Sequence, residues 1–123
     1  MIHYSSDCIE TYKNIWRRNA DSFEKSNEIR RQQALNKSHM LGELLCHSFA
    51  ASRVTLVGSA NISGRFNERS DIDLVVQGMP EQNYFSAVAA CMNDEFEVDV
   101  IPYENVNERM LQALKTGVVV YEI

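Results

Sequence analysis

The stretch Ser70-Asp71-Ile72-Asp73-Leu74-Val75-Val76 sets two carboxylates one residue apart inside an apolar run, and a third returns in Phe96-Glu97-Val98-Asp99-Val100. No other pattern in the chain restricts its fold as much. A strand alternates faces, so Asp71 and Asp73 emerge on one face about 6–7 Å apart at Cα, while Ile72, Leu74 and Val76 face the other way into a core. The same alternation puts Glu97 and Asp99 on one face of the second run, opposite Phe96, Val98 and Val100. Like charges held side by side destabilise one another unless something positive lies between them. Hard divalent cations take carboxylate oxygens, and phosphoryl chemistry often uses two such ions.

A phosphate cradle precedes the carboxylates. Arg53-Val54-Thr55-Leu56-Val57 is β-branched and apolar and reads as a short buried strand. It ends at Gly58-Ser59, and Ala60-Asn61-Ile62-Ser63 has the residues of a single helical turn. A small-residue turn entering a helix presents free backbone N–H groups to an anion. Gly58 lets a phosphate approach the backbone, and the Ser59 hydroxyl is either a further donor or a helix N-cap. Arg65 is a candidate for neutralising a triphosphate or else a plain loop charge. Ser70 reads chiefly as a turn or capping residue beside the nucleotide, and Glu97 as solvent-exposed. His39, Cys46 and His47 lack the paired spacing of a zinc site.

Gly58-Ser59, Gly64, Ser70-Asp71-Ile72-Asp73-Leu74 and Val98-Asp99-Val100 together resemble the nucleotidyltransferase superfamily that includes DNA polymerase beta. More narrowly they resemble its minimal nucleotidyltransferases (MNT), small prokaryotic proteins often paired with a HEPN-domain toxin. The tail from Met110 through Gly117-Val118-Val119-Val120-Tyr121-Glu122 looks like the ending of that group, a helix followed by Gly-Val-Val-x-Tyr-Glu. The resemblance covers about residues 34 to 123. The eleven residues from Ala60 to Ser70 are one more than the group's usual spacing, and Ser63 stands where many members have Arg before the loop glycine.

The resemblance implies an α/β (α+β) nucleotidyltransferase fold: a small mixed β-sheet with packed helices in residues 34–123, and a helical N-terminal extension in residues 1–33. It implies a Mg²⁺-dependent transfer of a nucleoside monophosphate, AMP from ATP in the first instance, onto a hydroxyl of a partner protein. Asp71, Asp73 and Asp99 would hold the metal, as a two-ion site, and Asp99 would take the proton of the attacking hydroxyl. Gly58, Ser59, Arg65 and Ser70 would line the nucleotide. The partner implied is a HEPN-type helical toxin, with this chain as its antitoxin. The alternative is a non-catalytic subunit that neutralises its partner by steric complex formation. Larger relatives append a domain for a drug, tRNA or DNA. The segments read here leave no length for one, so the acceptor is expected on a separate molecule.

A chain of 123 residues with 45% apolar and 24% charged content is one soluble domain's worth. No apolar stretch approaches the ~18–20 residues that span a membrane, and the N-terminus lacks the pattern of a signal peptide. Three scattered cysteines, Cys8, Cys46 and Cys91, argue for a reducing, cytoplasmic setting. A net charge of −5 speaks against general nucleic-acid binding. The basic pairs Arg17-Arg18 and Arg30-Arg31 read first as a solvated helix face, and second as a docking surface for an acidic partner or RNA. The oligomeric state stays open, a homo-oligomer included.

Residues 6 to 50 contain no proline and one glycine, Gly42. Ile9, Tyr12, Trp16, Ala20 and Phe23 recur at helical spacing, as an interface or as core. The apolar stripe nearly vanishes from Glu24 to Gln33 and resumes at Ala34, Leu41, Leu44, Leu45 and Phe49. Two helical units with a break near 24–33 are favoured over one long helix bare in its middle. Further on, the spacing predicts a helix over 82–92, a strand over 95–101, a helix over 105–115 with Gly117 as its C-cap, and a last strand from Val118.

Overall fold

The structure, a computed structural model, describes residues 6–58 and 71–123; within the first helix it describes side chains at Asn14 and from Lys25 onward. That helix, α1, runs Ser6–Phe49 without interruption, 44 residues and about 66 Å long at the rise of an α-helix. The break expected near 24–33 does not occur. A loss of apolar periodicity removes packing, not backbone hydrogen bonds, and this span holds neither proline nor glycine to interrupt the ladder. Ala34 and Ser38 are fully buried, followed by Leu41, Leu45 and Cys46. From Lys25 to Gln33 no residue is buried. The side chains of Tyr12, Trp16, Arg17, Arg18 and Phe23 lie outside the described residues.

α1 ends at Ala50, which adopts a left-handed φ of 63°, and the Ala51 N–H donates back to the Leu45 carbonyl at 3.1 Å. Four strands follow among the described residues: β1 Arg53–Val57, β2 Ile72–Gln77, β3 Val98–Pro102 and β4 Val118–Glu122. They form one sheet in the order β3-β2-β1-β4. β1 pairs antiparallel with β2 and with β4, while β2 and β3 run parallel. The parallel step needs a crossover, supplied by a 3-10 turn at Glu81–Asn83 and helix α2, Tyr84–Cys91. A second 3-10 turn, Tyr103–Asn105, leads to α3, Glu108–Lys115, which is capped by Asn107 accepting from the Met110 N–H at 2.9 Å.

The core lies between one sheet face and the helices α1 and α2. Val54, Leu56, Ile72, Leu74, Val76 and Val100 meet Leu45, Cys46, Ala87 and Cys91 there. α1 approaches β4 closely at Gly42, where a Cβ would stand 3.0 Å from both Tyr121 Cβ and Val120 Cγ2. The β4 register shifts between Val54 and Thr55, and the Val120 carbonyl accepts from His39 Nδ1 at 2.9 Å, so that imidazole carries its proton on Nδ1. Gly117 has no left-handed φ and α3 is capped at Thr116, so the expected glycine C-cap is not formed. Its small size serves packing instead, since a Cβ there would meet Thr55 Cγ2 at 2.8 Å and the Leu56 carbonyl at 3.1 Å. No helix among the described residues is long and apolar enough to cross a membrane.

Candidate active site

Parallel pairing of β2 with β3 sets Ile72 beside Val98, Asp73 beside Asp99 and Leu74 beside Val100. The apolar members of both strands enter the core, so their carboxylates emerge together on the opposite face. Asp71 immediately precedes β2 and Glu97 immediately precedes β3; the Ile72 N–H donates to the Glu97 carbonyl at 2.9 Å and extends the ladder to that level. Glu97 is exposed, as its sequence context suggests.

Asp73 is the electrostatic centre of this group. Burial raises its carboxyl pKa first; the Asp99 charge, a side-chain hydrogen bond with Asp99 and the Asp71 charge add to the rise, which brings it to about 6. The Asp73 carboxyl therefore holds its proton more tightly than a free carboxyl does. Asp71 is coupled to that pair by charge alone. As placed, no three His, Cys, Asp or Glu side chains among the described residues close around one metal position. The chemistry of the donor set nevertheless suits a hard dication: the candidate ligands are all carboxylates, and the Asp99 and Asp71 charges disfavour ionisation of Asp73 when nothing positive lies beside it.

β1 ends beside these carboxylates. Val57 pairs with Asp73 across the β1–β2 ladder, and Gly58 follows with a left-handed φ of 88°. A Cβ at Gly58 would stand 3.0 Å from Asp73 Oδ2. The glycine therefore does two things: it takes a backbone conformation that other residues avoid, and it leaves room beside a carboxylate oxygen. Of the sequence-derived site residues the structure thus brings Gly58, Asp71, Asp73 and Asp99 to one end of one sheet face. Ser59, Arg65 and Ser70 lie outside the described residues. The zinc-type spacing that His39, Cys46 and His47 lack is replaced by other partners: His39 bonds to Val120, His47 to the Tyr121 hydroxyl, and Cys46 is buried and free.

One feature beside the site escapes the sequence reading. Arg30 is no freely solvated helix charge; its guanidinium lies 4.4 Å from the centroid of the Phe96 ring and donates to the Glu95 carbonyl at 2.8 Å. Arg31 likewise keeps its side chain only 16% exposed and pairs with Glu28 at 3.1 Å. No sequence signal distinguishes these arginines from surface ones, because their partners are more than sixty positions away or on the same helix.

The chain matches no family model and no curated protein. Among solved structures it is similar to a proposed nucleotidyltransferase from Sulfolobus solfataricus, with 18% identity over 79% of this chain and 87% of that one and a TM-score of 0.55. It also resembles a chain in the complex of tri-AMPylated Shewanella oneidensis HEPN toxin with MNT antitoxin, with 17% identity over 76% of this chain and 73% of that one; the TM-score of 0.46 is too low to inform the fold. The mixed α/β architecture is a nucleotidyltransferase-like fold.

Proposed function

We propose that this chain is a Mg²⁺-dependent nucleotidyltransferase that moves AMP from ATP onto a hydroxyl of a partner protein, a HEPN-type toxin for which it serves as antitoxin. The observation that carries the reading is the placement of Asp73 beside Asp99 on the parallel ladder, with Asp71 coupled to them and the Gly58 backbone against Asp73. The AMP donor and the toxin partner rest on the sequence resemblance.

Asp71, Asp73 and Asp99 would hold Mg²⁺, which when bound supplies charge neutralisation for the phosphates and for the departing pyrophosphate. Each residue of the chain has its own task. Gly58 lets the phosphate tail lie against the end of β1, where Ser59 would add a hydroxyl donor. Arg65 and Ser70 would complete the nucleotide contacts. The acceptor hydroxyl attacks the α-phosphorus in line; an oxygen–phosphorus bond forms to the acceptor and the one to pyrophosphate breaks. Asp99, one strand away from Asp73, would accept the hydroxyl proton. In this chemistry positioning and electrostatics supply most of the rate enhancement, and a rigid sheet end suits that task.

The deciding experiment incubates the protein with labelled ATP, Mg²⁺ and a HEPN partner, read by mass spectrometry. Adenylyl groups on the partner, absent with Asp71→Asn, Asp73→Asn or Asp99→Asn, are the expected result. Neutralisation of the partner by Asp71→Asn at wild-type potency, with no covalent change, would establish the steric alternative instead.

A further inference from the structure

Among the described residues β3, which carries Asp99, is an edge strand bonded on one side only, to β2. The opposite side of the site is better supported, because β2 lies between two neighbours and β1 likewise. The position of Asp99 therefore depends on how the chain enters β3. That entry is the connection 92–97, which contains no helix or strand of its own.

Besides the ladder bond from the Ile72 N–H to the Glu97 carbonyl, three devices among the described residues hold the connection. Asn93 organises it locally, its Oδ1 accepting from the Glu95 N–H at 2.9 Å and the Phe96 N–H at 2.8 Å. Lys37 pairs with the Glu95 carboxylate at 3.7 Å, but that carboxylate is 64% exposed and such pairs hold little. The third device is Arg30. It donates a charge-assisted hydrogen bond to the Glu95 backbone carbonyl and lies over the face of Phe96, whose ring is buried in the core. The Arg30 Nε is buried and has no hydrogen-bond partner among the described residues, which marks this guanidinium as packed in place and not freely hydrated. Bond and stack together fix both the backbone and the side chain of the two residues that precede Glu97-Val98-Asp99.

We infer that Arg30 is a positioning residue of the candidate active site: it clamps the entry to β3 and so holds Asp99 abreast of Asp73. The inference rests on the reading of the carboxylates as a Mg–nucleotide site. It gives the α1 helix a task at that site. An arginine suits it better than a lysine, since a planar guanidinium stacks flat on a ring and donates in its plane to a carbonyl at once.

The test uses the full chain and two measurements. Hydrogen exchange without nucleotide reports the clamp itself: Arg30→Ala should accelerate exchange in residues 97–101 about tenfold while leaving β1 amides unchanged. Titration with Mg-ATP well below the melting temperature reports the site: Arg30→Ala should weaken binding about 10- to 100-fold, in the range seen when supporting contacts of metal ligands are lost. Arg30→Lys should recover part of both effects, and Arg53→Ala, which breaks the ion pair with Glu122 on the β4 side, should show neither. Should Arg30→Ala not fold, Arg30→Gln takes its place. Unchanged exchange in 97–101, or wild-type Mg-ATP affinity with only a lower melting temperature, would overturn the inference. A wild-type protein that binds no Mg-ATP would instead remove the underlying reading, while the exchange data would still decide the clamp.

Discussion

Asp73 is most costly to the fold in its ionised form. Its folded pKa of about 6 lies above its ordinary value of 3.8, so between these values the folded state binds more protons than the unfolded one. Its contribution to stability is fully present below about pH 4 and is lost as pH rises through 6. In the metal-free protein, urea denaturation at constant ionic strength should therefore show stability falling across this window. Asp73→Asn should flatten the fall and leave the neutral-pH protein as stable as the wild type or more so. A wild-type profile unchanged by the mutation would contradict the coupling of Asp73 to Asp99 and Asp71. Gly58 yields a second outcome. Gly58→Ala forces a left-handed alanine, costing about 1–2 kcal/mol, and drives its methyl to 3.0 Å from Asp73 Oδ2. Thermal unfolding should register the loss, and any stabilisation by Mg-ATP should shrink with it. The carboxylates themselves are legible in the sequence, because period-two alternation fixes which side chains share a face. The Gly58–Asp73 approach is not, since it depends on how β1 and β2 register.

At the scale of elements, strand positions follow from apolar alternation: β1 occupies the five residues expected, and β2 to β4 differ only at their ends. The helices show the limits of that reading. α1 crosses the bare stretch at 24–33 because exposed polar residues of good helix propensity need no core to stay helical when both flanks are helix. Its end carries no glycine, and Ala50 takes the left-handed position unaided. Ala50→Gly should therefore stabilise the protein by up to about 1 kcal/mol, the relief of the left-handed strain less the added entropy of glycine in the unfolded chain, seen as a higher urea midpoint at unchanged slope. The division at residue 33 is testable in the same way. Every buried α1 residue with a described side chain is Ala34 or later, so a chain lacking residues 1–24 should retain the sheet and its cooperative melt while losing helical circular dichroism. Collapse of that melt would place the Tyr12, Trp16 and Phe23 face in the core, because a few large buried side chains exceed a typical stability margin.

At the scale of the whole molecule, two clefts among the described residues are lined by none of Asp71, Asp73 and Asp99. One of 520 Å³ is lined by Val76, Met79, Tyr84, Phe85 and Pro102, at the end of β2 and β3 opposite Asp71. Another of 300 Å³ lies among Thr55, Gln77, Leu114 and Gly117, at the α3 side of β1. The first cannot present a hydroxyl to a phosphate that Gly58 would hold, since Val76 lies three residues along β2 from Asp73, about 10 Å, and on the opposite sheet face. Adenylyl transfer needs that hydroxyl held in line, and without such orientation most of the rate enhancement is forfeited. With Mg-ATP and small alcohols or aminoglycosides, the isolated protein should therefore show little turnover. A protein partner that brings its own hydroxyl to the open end of the sheet should restore transfer, and Asp71→Asn should abolish it while leaving the two proteins able to associate. Release of pyrophosphate, followed continuously with and without partner, measures the difference. Rapid release with a small alcohol alone would show that the chain builds an acceptor pocket by itself, and the partner would then lose its place in the mechanism.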